Sequence, residues 1–366
     1  MSLRAASTLV RWLGPWESEG FPRDVQRTET RLAGPRPMRA FVYRPPGPLA
    51  GVWVLAQGLH FLGPEDPRLD RFCRVLAASG VLVLAPFLPD HLRLRVTPNT
   101  TDDLAAAFDE AEAISRLEQL PKPAVFSISF GSQPAIALAG RASHRDRLGA
   151  LVLFGGFAEF STTVRFCLTG RAEHEGRVLA MAHDPLNAPV VWMHLLELLD
   201  LPVDRARLDA AWRTMVERTW GRAELKAKGA RDPIAHAMAA ELPPSEREVF
   251  LLGCGLREGA EAQLEAISGR LDELYAFTNP RPHLREVRAP VAILHGRDDD
   301  VIPWFDAEIL RAALPPGHPA RTLITGLYGH TGAATVSPGA LARELRTMAA
   351  LIRTLVEAPR GGWTSG

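Results

Sequence analysis

The chain has 366 residues, 42 Lys plus Arg against 42 Asp plus Glu, and 46% hydrophobic residues. A formal charge of zero removes the electrostatic reason to expect a nucleic-acid or acidic-polymer partner. Only three of the basic residues are lysine (Lys122, Lys226, Lys228). The length suits either two domains or one domain with a large insertion.

Residues 1–23 read as a lead-in, a short helix or an unstructured stretch, without a cleavable leader. No apolar run approaches the roughly 18 residues of a membrane span, and the expectation is a cytoplasmic protein. Cys73, Cys167 and Cys254 are odd in number and far apart, so neither a disulfide framework nor a CxxC metal site is legible.

From Asp24 the pattern alternates. DVQRTETRLA and PMRAFVYRP are strand candidates separated by the Gly34-Pro35 turn signal. GVWVLAQG at 51–58 and VLVLAPF at 81–87 are short apolar runs of the kind buried on both faces of a sheet, with a helix at 67–79 between them. A helix follows from Thr101 to about Leu117. AVFSIS at 124–129 reads as a strand, the next residues as a helix, and ALVLFGG at 150–156 as a strand. Strand and helix alternating at these lengths predict a mostly parallel sheet covered by helices on both faces.

The alternation stops over 158–287, where the apolar spacing is helical, as for Leu208, Trp212, Met215 and Val216 behind a candidate Asp204 cap. It resumes with APVAILHG at 289–296, a helix from Phe305, the strand RTLITG at 321–326 and a last helix from Ala340 to Val356. The sequence therefore predicts an α/β core, 24–157 and 288–358, interrupted by an all-helical insertion at 158–287. A flexible tail is expected over 359–366.

Candidate chemistry gathers at the ends of the predicted parallel strands, where open α/β sheets place their ligands. Ser127-Ile128-Ser129-Phe130-Gly131 joins a strand to a helix. A serine on so sharp a turn needs small residues two positions to either side, and Ser127 and Gly131 qualify. Such a turn lifts the Ser129 hydroxyl off the sheet and sets the Phe130 N–H where it can meet a developing oxyanion. Gly296-Arg297-Asp298-Asp299-Asp300 and Gly329-His330 follow two later strands. The chain order is thus Ser, Asp, His.

In that order and spacing, the segments 36–157 and 288–357 resemble the α/β-hydrolase family. The resemblance implies Ser129 as nucleophile, His330 as general base and Asp299 as the acid orienting His330. It also implies an oxyanion hole of Leu59 and Phe130 N–H groups, with Gly58 allowing the tight turn and Gln57 standing where the family usually has His. His60 and Trp192 are candidates to face the substrate, the latter from the apolar run 190–199, whose plainer reading is the core of a helical subdomain. Glu159 is a weaker alternative to Asp299. Asp90 and His91 follow a strand on a loop read by default as solvated.

The implied activity is a carboxylic-ester hydrolase forming an acyl-enzyme on an apolar acyl substrate, without cofactor or metal. An acyltransferase would use the same three residues. A non-catalytic small-molecule binder is the rival from another class, motivated by Ser127 and Gln57. Gly253-Cys254-Gly255 superficially resembles a dinucleotide fingerprint but has the wrong spacing and context. A homo-oligomer is left open.

Overall fold

The computed structural model describes residues 2–14, 18, 20–326 and 338–363. Two compact units divide the chain: 1–158 with 279–299 and 304–366, and 159–278 with 300–303.

The larger unit is built on eight strands: β1 (Gln26–Leu32), β2 (Met38–Arg44), β3 (Val52–Ala56), β4 (Leu82–Pro86), β5 (Ala124–Ile128), β6 (Ala150–Phe154), β7 (Val291–Gly296) and β8 (Ala320–Thr325). They lie in the order β1-β2-β4-β3-β5-β6-β7-β8. Antiparallel pairing is confined to β1 with β2 and β2 with β4, and every later pair is parallel. The alternation of side chains divides each central strand between two cores. Val52, Val54 and Ala56 face one together with Leu151, Leu153, Val291 and Ile293. Trp53 and Leu55 face the other with Ala150, Val152, Ala292 and Leu294. Helices Asn99–Leu117 and Ser132–Gly140 close the first core, and Leu3–Trp12 and Pro67–Ala78 the second. A strand buried on both faces has no polar side to display, which is why these runs read as continuously apolar.

The N-terminal lead-in contains a short helix, the first of its two expected forms, Leu3–Trp12, capped by Ser2 and buried through Ala5, Ala6 and Leu9. Other expectations are corrected at the margins. The tail expected to be loose from 359 is packed as far as Trp363. The Pro359 carbonyl occupies the space beside Gly51, Arg360 Nη2 donates to the Ser79 carbonyl at 2.5 Å, and Arg321 lies over the Trp363 ring at 4.7 Å. Residues 279–287 belong with the larger unit, because Gly140 lets the backbone of His283 pass directly against helix Ser132–Gly140.

The smaller unit is mostly helical, but the insertion is not all-helical. Arg171–His174 and Arg177–Ala180 form an antiparallel ribbon. Both turn residues, Glu175 and Gly176, have positive φ (51° and 73°), the conformation that matches the twist of a two-residue hairpin. Trp212 is the centre of this unit. It packs at 6.5 Å from Trp192, donates Nε1–H to the Phe250 carbonyl at 3.1 Å, and fills the space that a side chain at Gly253 would need. Gly253 therefore serves helix packing, and Cys254 beside it is buried, its thiol pushed up by desolvation. Lys226 bridges Asp184 and Asp300 at 2.8 Å each, tying 300–303 into this unit.

Candidate active site

Ser129 opens a short 3-10 turn, Ser129–Gly131, between β5 and helix Ser132–Gly140. Its φ is +52°, left-handed backbone that a non-glycine residue adopts only when its surroundings enforce it. The enforcing contacts are on either side. A Cβ at Gly131 would lie 2.1 Å from the Ala56 carbonyl oxygen and 2.6 Å from that of Gln57. Glycine alone lets the turn sit on the end of β3. A Cβ at Gly58 would lie 3.2 Å from Ser129 Cβ, so the loop after β3 packs against the serine itself. Ser127 takes the first small position of the turn without strain. It is fully buried on β5, and its hydroxyl donates to the Val152 carbonyl of β6 at 3.2 Å.

The next two strands continue the same rim. In register, Ile128 pairs with Phe154 and Phe154 with Leu294, so Ser129 and Gly155 leave adjacent strands at one level. Gly155 has φ +58°, and a Cβ there would sit 3.3 Å from Asp299 Oδ2. Asp299 follows β7, its N–H donating to the Gly296 carbonyl at 3.3 Å, and its Oδ2 lies 3.5 Å from Nε2 of the buried His295. The structure thus gathers Ser129, Gly58, Phe130 and Asp299 at the C-terminal rim of the sheet. His330 lies outside the described residues. Asp298 is exposed and Asp300 is engaged by Lys226, leaving Asp299 as the acid of the run beside Gly155.

No family model and no curated protein matches the sequence. Solved structures match over nearly the whole chain. A brefeldin A esterase, described as a bacterial homologue of human hormone-sensitive lipase, is 14% identical, with 98% of this chain and 85% of that one covered at a TM-score of 0.50. The chain has the α/β-hydrolase fold. A Mycobacterium tuberculosis puromycin-hydrolysing peptidase (16% identity, 95% and 41% covered, TM-score 0.49) and an acylaminoacyl peptidase in complex with Z-Gly-Gly-Phe-chloromethyl ketone (14%, 94% and 43%, 0.49) are also similar. This chain spans about two-fifths of the length of those two peptidases.

Within this α/β-hydrolase fold, the remaining candidates have defined surroundings. His60 is held in its own loop. Its Nδ1 accepts from Leu62 N–H at 3.2 Å, and Nε2 lies 3.2 Å from Asp66 Oδ2, which fixes the neutral tautomer with the hydrogen on Nε2. Burial pushes His60 below its ordinary value. Burial resists the ionisation of Asp66, but Arg68 outweighs it and the carboxyl stays below its ordinary value. Trp192 is buried against Trp212. Glu159 precedes helix Phe160–Thr169 and accepts from Thr162 Oγ1 at 3.3 Å.

Asp90 and His91 overturn the solvated-loop reading, being 6% and 1% exposed. Arg36 donates to both Asp90 oxygens at 3.0 and 2.8 Å and also to Asp103, while Thr97 Oγ1 donates to Asp90 at 2.6 Å. The signal for this was Arg36 on the β1–β2 turn opposite two acids, a long-range pairing that periodicity does not carry.

A cleft of about 330 Å³ lies at the other ends of the strands, lined by Lys122, Arg145, Gly149 and Arg288 among others. Arg288 is paired with the Asp146 carboxylate and Arg145 with Glu286, while Lys122 donates to the Asp146 carbonyl. Among the described residues no helix is long and apolar enough to cross a membrane, and no group of His, Cys, Asp and Glu could hold a metal ion.

Proposed function

We propose that the protein is a serine hydrolase acting on carboxylic esters through an acyl-enzyme. The observation that carries this reading is Ser129 at φ +52°, pinned between Gly58 and Gly131 at the strand ends. A serine held in left-handed backbone at an energetic cost of about 1–3 kcal/mol is well accounted for if the hydroxyl must be presented to a substrate.

In this reading Ser129 Oγ attacks the ester carbonyl while His330 takes its proton, since a neutral hydroxyl is a poor nucleophile. Asp299 holds the imidazole in the productive tautomer and stabilises the imidazolium. The N–H groups of Leu59 and Phe130 receive the oxyanion, each worth about 3 kcal/mol in comparable sites. His330 then returns the proton to the leaving alcohol, and water resolves the acyl-enzyme.

Labelling by a fluorophosphonate probe, read by intact-protein mass, tests the assignment. Addition to the wild type and to neither Ser129→Ala nor His330→Ala is expected. Hydrolysis of p-nitrophenyl butyrate by Ser129→Ala at the wild-type rate would remove Ser129 as the nucleophile. An acyltransferase would instead show faster product formation when an alcohol or amine acceptor is added.

A further inference from the structure

His91 stands behind the oxyanion loop. Its Nδ1 lies 2.8 Å from the Gln57 carbonyl oxygen. A carbonyl can only accept, so Nδ1 carries the hydrogen. Burial pushes His91 down to about 4, which keeps the ring neutral. From the other side the same carbonyl faces the bare Cα of Gly131, where a Cβ would come within 2.6 Å. The 57–58 peptide is therefore gripped between an imidazole N–H and the elbow turn. Turning it would leave a buried carbonyl unpaired.

Beyond His60 the loop is tied by its own hydrogen bonds, but at Gln57 and Gly58 it has little of its own to hold it. Gly58 is intrinsically free to rotate, and the buried Gln57 side-chain amide has no hydrogen-bond partner among the described residues. The segment carrying His91 is braced far more heavily than a connecting loop requires. Arg36 gathers Asp90 and Asp103, Arg95 N–H donates to the Asp90 carbonyl at 2.8 Å, and Leu94 N–H donates to that of His91 at 3.0 Å from a backbone with φ +59°.

We propose that His91 is a positioning residue for catalysis, fixing the Gln57–Gly58–Leu59 turn so that the Leu59 N–H is aimed at the oxyanion. The proposal rests on the hydrolase reading above. His91 touches no substrate and moves no proton; it acts through the Gln57 carbonyl.

Two variants separate this role from mere packing. His91→Asn keeps an N–H donor near the position of Nδ1, and His91→Leu removes it. With full-length protein and p-nitrophenyl butyrate, His91→Leu is expected to lose about tenfold or more in kcat with KM within about twofold, since loss of one oxyanion donor costs about 10²-fold or more and a misaimed donor less. Affinity for a trifluoromethyl ketone, whose hydrate mimics the oxyanion, should fall in parallel. Hydrogen exchange of segment 57–66 should accelerate. His91→Asn should restore most of each. Unchanged kcat and ketone affinity in a folded His91→Leu, with the wild type labelled at Ser129, would overturn the positioning role alone. Equal losses in His91→Asn and His91→Leu would assign His91 to packing. A wild type that neither labels nor turns over the ester would sink the hydrolase reading, and this proposal with it.

Discussion

At Gly131 the fold and the candidate chemistry meet in one missing methyl group. The carbonyls of Ala56 and Gln57 occupy the space where a Cβ would be, and both are backbone, so neither can swing away as a side chain could. Gly131→Ala should therefore push the turn off β3, destabilising the protein by at least about 2 kcal/mol and greatly slowing fluorophosphonate labelling. Urea denaturation and labelling rates measure both. A well-folded, normally labelled Gly131→Ala would mean that the elbow is not held as described. Ser127 shows the opposite tolerance. Its position needs a small side chain rather than none, and the hydroxyl finds the Val152 carbonyl. Ser127→Ala should cost about 1 kcal/mol, the net worth of one buried hydrogen bond, as a shift in urea midpoint.

Individual elements differed in how plainly they could be read from the sequence, and for a physical reason. The strands β3 to β7 are buried on both faces, so Val52–Ala56 or Val291–Ala292 could not be mistaken for surface. The ribbon 171–180 shows almost the reverse. Residues such as Arg171, Glu173, Val178 and Ala180 are exposed, so no apolar pattern announced it and only the Glu175-Gly176 turn could have. Ser129 could be picked out as a candidate from local turn chemistry, and Asp299 and Gly58 only through the family resemblance. His91 could not, because its role depends on a carbonyl 34 positions away. The element that carries it depends on Arg36 in the same way. Arg36→Met would leave Asp90 and Asp103, both buried, without their shared cation. Removing one partner of a buried pair costs about 3–5 kcal/mol, and Arg36 is about one-third exposed, so about 2–3 kcal/mol is expected. The Asp90 carboxyl should also rise from its lowered position, where Arg36 and Thr97 together outweigh its burial. Urea titration and carboxyl NMR on the variant read both effects. Wild-type stability would show the network to be ornamental.

Over the whole molecule, the histidines set how stability responds to mild acid. Burial holds His60, His91, His144, His183, His283 and His318 below the ordinary 6.5. Each takes up a proton less readily when folded than once unfolded. Through these six rings the unfolded chain binds more protons between pH 6.5 and the folded values, so their contribution to stability falls as pH drops through that window. The carboxylates held low by arginine, such as Glu29, Asp90 and Glu112, add their loss only below their own ordinary range near 4. From pH 7.5 to 5 these six histidines thus contribute a loss of stability. His91 has the widest window, from 6.5 to about 4, equivalent to about 3 kcal/mol by the proportionality between pKa and free energy. Urea midpoints should decline steadily from pH 7.5 to 5, and His91→Asn should decline less steeply than the wild type. A flat profile across that range, or identical slopes in the two proteins, would mean that these rings are protonated inside the fold, and that His91 meets the Gln57 carbonyl as an imidazolium.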